Sequence, residues 1–161
     1  MRNKKVLFVA QAALIAAIYV VLTYFVSAFH LASGAIQVRI SEALTILPYF
    51  TPAAIPGLTV GCLLSNLLTG CLPMDVLFGS LATLLGAVGS YLLRKHKWLV
   101  PIPPIIANTV IVPFVLAYVY GAEGSIPFFM VTVGIGEVIS CYILGSILLK
   151  ALLPYRSIIF K

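Results

Sequence analysis

Apolar residues run in long, unbroken stretches along this chain, and polar residues gather in the short gaps between them. The first stretch goes from Val6 to about Phe29. Its length of about 24 residues fits one spanning helix. No small-x-small cleavage site closes a short apolar core, so it reads as a retained helix and not a signal peptide. Residues His30 to Ser41 are less apolar and include Gly34, Gln37 and Arg39. The next stretch, 42–70, is apolar but broken by Pro48, Pro52, Pro56 and Gly57. Proline removes a helical hydrogen bond and clashes with the preceding turn, so this region does not form one straight helix. It reads either as a short helix near 36–50, a turn at 51–53 and a helix from 53 to 70, or as one kinked span. Three further stretches follow at 74–93, 102–120 and 126–152.

These runs are continuous, where a membrane β-barrel would alternate from residue to residue. The expected fold is therefore an all-α integral membrane protein with six transmembrane helices. The spans are about 6–29, 36–50, 53–70, 74–93, 102–120 and 126–152, in a single membrane domain covering 1–161. Composition agrees. The 161 residues are 62% hydrophobic and only 9% charged, with a mean hydropathy of +1.16. A soluble domain carries about 25% charged residues. So few charges cannot cover a water-facing surface, which excludes a soluble enzyme, a nucleic-acid-binding domain and a disordered tail. The natural surroundings are a lipid bilayer.

The formal net charge of +6 then acts as an orientation signal and not as a nucleic-acid footprint. Arg2, Lys4 and Lys5 precede the first span, and Arg94, Lys95 and Lys97 follow the fourth. Lys and Arg favour the cytoplasmic side. An even number of crossings must separate the two groups, so residues 36–70 supply two short spans. Lys150, Arg156 and Lys161 also fall inside, and the turn around Glu123 falls outside. The expected topology is N-in/C-in, with Arg39 as the one basic residue on the outer side.

Polar groups that break the apolar trend are the candidate chemistry. Glu137 lies near the middle of the last span, behind Gly134 and Gly136. An ionisable group at that depth must face the protein interior or a cavity. Arg39 and Glu42 are three apart, close enough to pair on a helix. They make either a headgroup-level salt bridge or a gate touching a ligand. Asp75 either caps the start of the fourth helix or meets a ligand. Asn66 and Asn108 lie within spans and either bridge helices or bind a ligand. Tyr49, Phe50 and Phe78 are aromatic candidates for the outward half. Trp98 and Tyr118 suit interfacial belts. Ala12, Ala13, Ala16 and Ala17 form two overlapping small-x-x-x-small pairs, a face for close helix approach, either inside this domain or against a partner. Cys62, Cys71 and Cys141 show no CxxC spacing and no adjacent histidine, so they read as packing residues and no metal site is expected. There is no phosphate-binding GxxxxGK[ST] loop and no HExxH motif. Without its own visible energy source, the chain is expected to bind rather than to pump or catalyse, and to need a partner. A membrane scaffold whose polar groups only lock helices together is the alternative from another class.

The stretch 38–61, VRISEALTILPYFTPAAIPGLTVG, resembles the QueT family of queuosine-precursor transporters. So do its continuation Cys62–Leu67 and the run Asp75–Leu84. The Val100-Pro101-Ile102-Pro103-Pro104 stretch with Asn108 beyond it, and the Gly136-Glu137 pair, extend the likeness over about 6–152. The resemblance implies an S component of an energy-coupling factor transporter in the cytoplasmic membrane of a prokaryote. It implies a transmembrane, EcfT-like coupling subunit and two cytoplasmic ATPases as partners, with the alanine face of the first helix as the docking surface and no cofactor. It implies a 7-deazaguanine substrate, the aminomethyl form or queuine. A carboxylate accepts N1–H and the 2-amino group of a guanine-like edge together. An aminomethyl cation calls for a second carboxylate, and a flat ring for an aromatic face. Riboflavin or a thiamin precursor would also be served by rings and amides, so another vitamin-like ring compound stays open.

Overall fold

The computed structural model describes residues 3–28 and 38–160. Phe29 at the end of the expected first span, His30 and Gly34 after it, Gln37 at the start of the expected span 36–50, and Arg2 and Lys161 lie outside the described residues. Helix α1 covers Lys4–Ala28, α2 Ala54–Leu68, α3 Pro73–Leu92 and α4 Ile102–Tyr118. The last rod is composite: α5 (Ile126–Glu137), a π-helical stretch (Val138–Leu144) and α6 (Gly145–Leu152), followed by a short 3-10 turn and α7 (Arg156–Ile159). Among the described residues there is no strand. Three rods are long and apolar enough to cross a membrane, Lys4–Ala28, Pro73–Leu92 and Ile126–Ile159, while α2 and α4 are shorter apolar helices.

The remaining expected helix, 36–50, differs in kind. Its described part is a 3-10 helix over Ile40–Tyr49, with Ser41 to Pro48 all buried. Ten residues of 3-10 helix rise about 20 Å, against about 15 Å for an α-helix. The tighter winding thus carries the chain farther through the bundle per residue, though a hydrocarbon core is about 30 Å thick. Pro48 lies inside this helix, and its ring nitrogen has no hydrogen to donate. A turn at 50–53 follows, with the Phe50 N–H donating to the Leu47 carbonyl at 2.9 Å. The two short elements are therefore separate, and the kinked-span alternative falls away.

The other elements wrap this inner segment, which touches α1, α2, α3, the π stretch and α6. Helices α1 and α2 run parallel and approach closely through small residues. Gly57 sits on Ala12 and Ile15, and Gly61 sits on Ala16 and Tyr19. Such small-x-x-x-small contacts replace the hydrophobic driving force that lipid does not supply. Helices α3 and α4 meet the same way, with the prolines of the first turn of α4 resting on glycines. A Cβ on Gly86 would lie 2.7 Å from the Cα of Pro104.

The charges segregate by end. Gln11, in the first turns of α1, donates to the Ile159 carbonyl and accepts from Thr51. Arg156 lies over the ring of Tyr49, and Lys97 and Lys150 lie near Trp98. The start of α1, the 94–99 turn and the C-terminal turns thus share one basic end. Asp75, Tyr120 and the Glu123 turn occupy the other.

Gly61→Ala tests the α1–α2 contact. Its Cβ would lie 2.8 Å from the Cβ of Tyr19 and 3.1 Å from the Cα of Ala16, so a helix must move. Overpacking of this kind costs about 1–3 kcal/mol. The thermal midpoint in detergent should fall by several degrees. Gly134→Ala, whose nearest neighbour atoms lie at 3.5 Å on Thr109, should leave it unchanged. Equal midpoints for the two variants would contradict the packing.

Candidate functional site: a buried carboxylate pair beneath a polar cavity

Two irregular helical segments bring the site together. The 3-10 helix carries Glu42, which is 1% exposed, and Glu137 ends α5 where the π stretch begins, 5% exposed. A π turn widens the helix and re-aims the side chains around it. Cys141, four residues beyond Glu137 and fully buried, donates its S–H to Glu137 Oε2 at 3.2 Å. One donor atom each from Glu42, Glu137 and Cys141 lie within 4.8 Å of one another. Asn108, from α4, reaches the Glu137 carboxylate by its side chain.

On the other side, the Tyr19 hydroxyl of α1 donates to Glu42 Oε1 in a short hydrogen bond. Among the described residues Glu42 Oε2 is buried and has no hydrogen-bond partner, and the same holds of the hydroxyl oxygens of Thr109 and Ser146. A buried acceptor left without a donor costs about 1–3 kcal/mol, and more when charged. Arg39 is near enough to interact electrostatically with Glu42, Glu137, Tyr19 and Cys62. Its backbone N–H donates to Ser140 Oγ at 3.1 Å. If all three ionise, two carboxylates and one guanidinium leave a single excess negative charge.

A cavity of about 180 Å³ lies beside this cluster, lined by Thr23, Ser27, Arg39, Ser41, Asn66 and Cys71 among others. Thr23 is one helical turn beyond Tyr19, Asn66 one turn beyond Cys62, and Ser41 adjoins Glu42. The cavity therefore sits about one turn from the carboxylates, toward the less basic end of the bundle. Its rim is tied by hydrogen bonds, with Thr23 Oγ1 donating to Ser41 Oγ at 2.8 Å. The amide of Asn66 lies against Gly79, which leaves it room: a Cβ there would come 3.0 Å from Asn66 Nδ2 and 3.6 Å from Asp75 Oδ1.

The residues singled out from the sequence divide into groups. Glu42, Glu137, Asn108 and Arg39 come together, and Arg39 and Asn66 share the cavity wall. Asp75 stands near Asn66 but belongs to a second contact, accepting from the Tyr120 hydroxyl at 2.7 Å. That hydroxyl also accepts from the Leu72 N–H at 3.3 Å. The three aromatic candidates are not brought to the carboxylates. Tyr49 lines a cleft with residues 95–99 at the basic end, Phe50 stacks on Phe160, and Phe78 lines an apolar outer groove with Met74 and Phe114. Pairing with the C-terminal turns holds the first two away. Helical phase turns Phe78 outward, since Asp75 and Gly79 take the inner face of α3.

The alanine face also divides. Ala16 is buried, and Ala12 and Ala16 both pack against the glycines of α2. Ala13 and Ala17 stay exposed. Sequence reasoning passed over Tyr19 and Cys141 as ordinary span residues. The i, i+4 spacing of Glu137 and Cys141 was the available signal for the second. Nothing in the sequence marks Tyr19.

The described residues form an all-helical bundle, with three helices long and apolar enough to cross a membrane, that keeps two carboxylates and a small polar cavity inside. The profile of the QueT transporter family matches residues 9–154, and the chain belongs to that family. A curated relative, the queuosine precursor transporter QueT of Lactococcus lactis subsp. cremoris, is 36% identical over 84 residues. The match covers 52% of this chain and 49% of the relative, about half the length of each. No solved structure matches the chain.

Tyr19→Phe removes the hydrogen bond that holds Glu42 and leaves both carboxylate oxygens without a donor. The loss should be about 2 kcal/mol, read as a clear drop in thermal midpoint. Combined with Glu42→Leu, the same change should cost much less than alone, because no carboxylate is then stranded. Additive losses in that double-mutant cycle would mean that the two side chains do not interact.

Proposed function

We propose that this chain is the substrate-binding S component of an energy-coupling factor transporter, capturing a queuosine precursor of the 7-deazaguanine type with high affinity. Membership of the QueT transporter family supports this reading, as does the name of the curated relative. The single observation that carries it is the buried Glu42–Glu137 pair with an unsatisfied carboxylate oxygen beneath a polar cavity.

Glu137 reads the N1–H and 2-amino edge of the ring, and Asn108 and Asn66 meet the remaining polar atoms. Glu42, beside Arg39, balances the exocyclic amine, whose one positive charge cancels the excess negative charge of the cluster. Asp75 is the second candidate for that amine, from its place near Asn66. Arg39 and the 40–50 segment close over the ligand. A cavity of about 180 Å³ is small beside the roughly 300–1,000 Å³ of drug-sized pockets. It favours a compact bicycle over a ligand as large as riboflavin.

The protein lies N-in/C-in in the cytoplasmic membrane of a prokaryote, with its basic end inside and the cavity facing outward. Positive charge on one end of the bundle supports that orientation. The exposed pair Ala13 and Ala17 offers the docking face for the transmembrane coupling subunit, which links the chain to two cytoplasmic ATPases. Ala12 and Ala16 serve the α1–α2 contact instead. ATP hydrolysis belongs to those partners and not to this chain.

The test is equilibrium binding of the aminomethyl deazaguanine to detergent-purified protein, with queuine, guanine and riboflavin as competitors. Tight binding displaced by queuine and not by riboflavin is the expected result. Glu137→Gln should keep the fold and weaken binding at least tenfold, about 1.4 kcal/mol. An unchanged dissociation constant in the folded variant would remove Glu137 from the site. If Glu137→Gln lowered only thermal stability and the parent protein bound none of the four compounds, the chain would be a scaffold.

A further inference from the structure

We infer that Glu42, Glu137 and Cys141 also form a binding site for a divalent, zinc-class metal ion, occupied when no organic ligand is present. Two acidic side chains alone would not make this argument; three further features do. One donor atom from each of the three residues lies within 4.8 Å of the others. Glu42 Oε2 is an unpartnered carboxylate oxygen in a side chain only 1% exposed. The third donor is a sulfur, which no hydrogen-bonding role for an organic ring requires.

The donor set selects the class of ion. Calcium and magnesium are held by oxygen ligands, calcium by about six to eight of them. A thiolate with two carboxylates suits a borderline-soft ion such as Zn²⁺, which takes three protein ligands and leaves a fourth position for water. Zn–O distances of about 2.0–2.2 Å and a Zn–S distance of about 2.3 Å require the donors to draw in by about an ångström. Turning the whole Glu42 carboxylate, with the Tyr19 hydroxyl following Oε1, would supply that motion. Charge agrees as well. Two carboxylates and one thiolate, set against the Arg39 guanidinium, leave two negative charges, which a divalent ion cancels. When the metal–sulfur bond forms, the Cys141 S–H bond breaks and its proton passes to water. The polar cavity one turn away, with Arg39 and Ser41 in its wall, gives the path of entry.

The inference shares Glu42 and Glu137 with the proposed ligand site, and it predicts that zinc competes with the ligand there. The metal is tested without ligand, and the ligand is tested separately on chelator-treated protein, so each reading fails on its own. Tag-free, detergent-purified protein is titrated with Co²⁺ and followed by absorption. The expected result is one equivalent bound, with a near-ultraviolet sulfur-to-cobalt charge-transfer band. The band should vanish in Cys141→Ser and persist in Cys71→Ser. X-ray absorption of the zinc-loaded parent protein avoids any folding defect in a variant, and should show one sulfur with oxygen or nitrogen scatterers. Absence of the band, its survival in Cys141→Ser, or a shell without sulfur would each overturn the assignment.

Discussion

Taking a carboxylate out of water costs several kcal/mol unless protein groups replace the water. This bundle meets that cost at its deepest around Glu42 and Glu137, and a second time where Tyr120 donates to Asp75. Tyr19 comes from α1, Asn108 from α4, Cys141 from the π stretch and Arg39 from the approach to the 3-10 helix. Each must be held in position; α1 and α4 supply two of them, and two irregular segments carry the rest of the cluster. The 3-10 winding of Ile40–Tyr49 carries Glu42 deep between the other helices. The π stretch begins one residue after Glu137. Irregular backbone is tolerated at membrane depth only when protein covers it; Ser41 to Pro48 of the 3-10 helix are all buried, and the π stretch turns Ser140 and Cys141 inward.

The surrounding helices are arranged to make that wrapping tight. Gly57 and Gly61 let α2 lie on α1, which fixes Tyr19 against Glu42. Gly86 and Gly89 let the prolines of α4 rest on α3, which sets the start of the helix that delivers Asn108. Small residues thus serve the buried carboxylates at one remove. The same logic accounts for the fate of the alanines in α1: Ala12 and Ala16 serve the interior, and Ala13 and Ala17 remain on the outer face.

The arrangement sets two buried carboxylates, one with an oxygen that no described group donates to, next to a small polar chamber. A scaffold that only joined helices would be expected to satisfy its buried polar atoms internally. Among the described residues one Glu42 oxygen is left without a donor, as are the hydroxyls of Thr109 and Ser146. Membership of the QueT transporter family is the context of the proposal that a ligand meets that Glu42 oxygen.

The sequence by itself determined the class, the number of helical elements and most of their limits, because twenty-residue apolar runs have few other uses and Lys and Arg mark where they end. It also pointed to Glu137, since an acid in the middle of such a run must face inward. It did not determine which polar residues meet. Phe78 and Asp75 are three apart on one helix and yet face different surroundings. Tyr49 and Phe50 follow Glu42 closely in sequence and lie at the opposite, basic end, because a 3-10 helix rises so steeply. Tyr19 and Cys141 look like any other span residues until α1 and the last rod are packed around the 3-10 helix. Local pattern reports how deep a residue lies and which solvent it avoids. Only tertiary packing, through helix phase and close glycine contacts, decided which buried groups share a site.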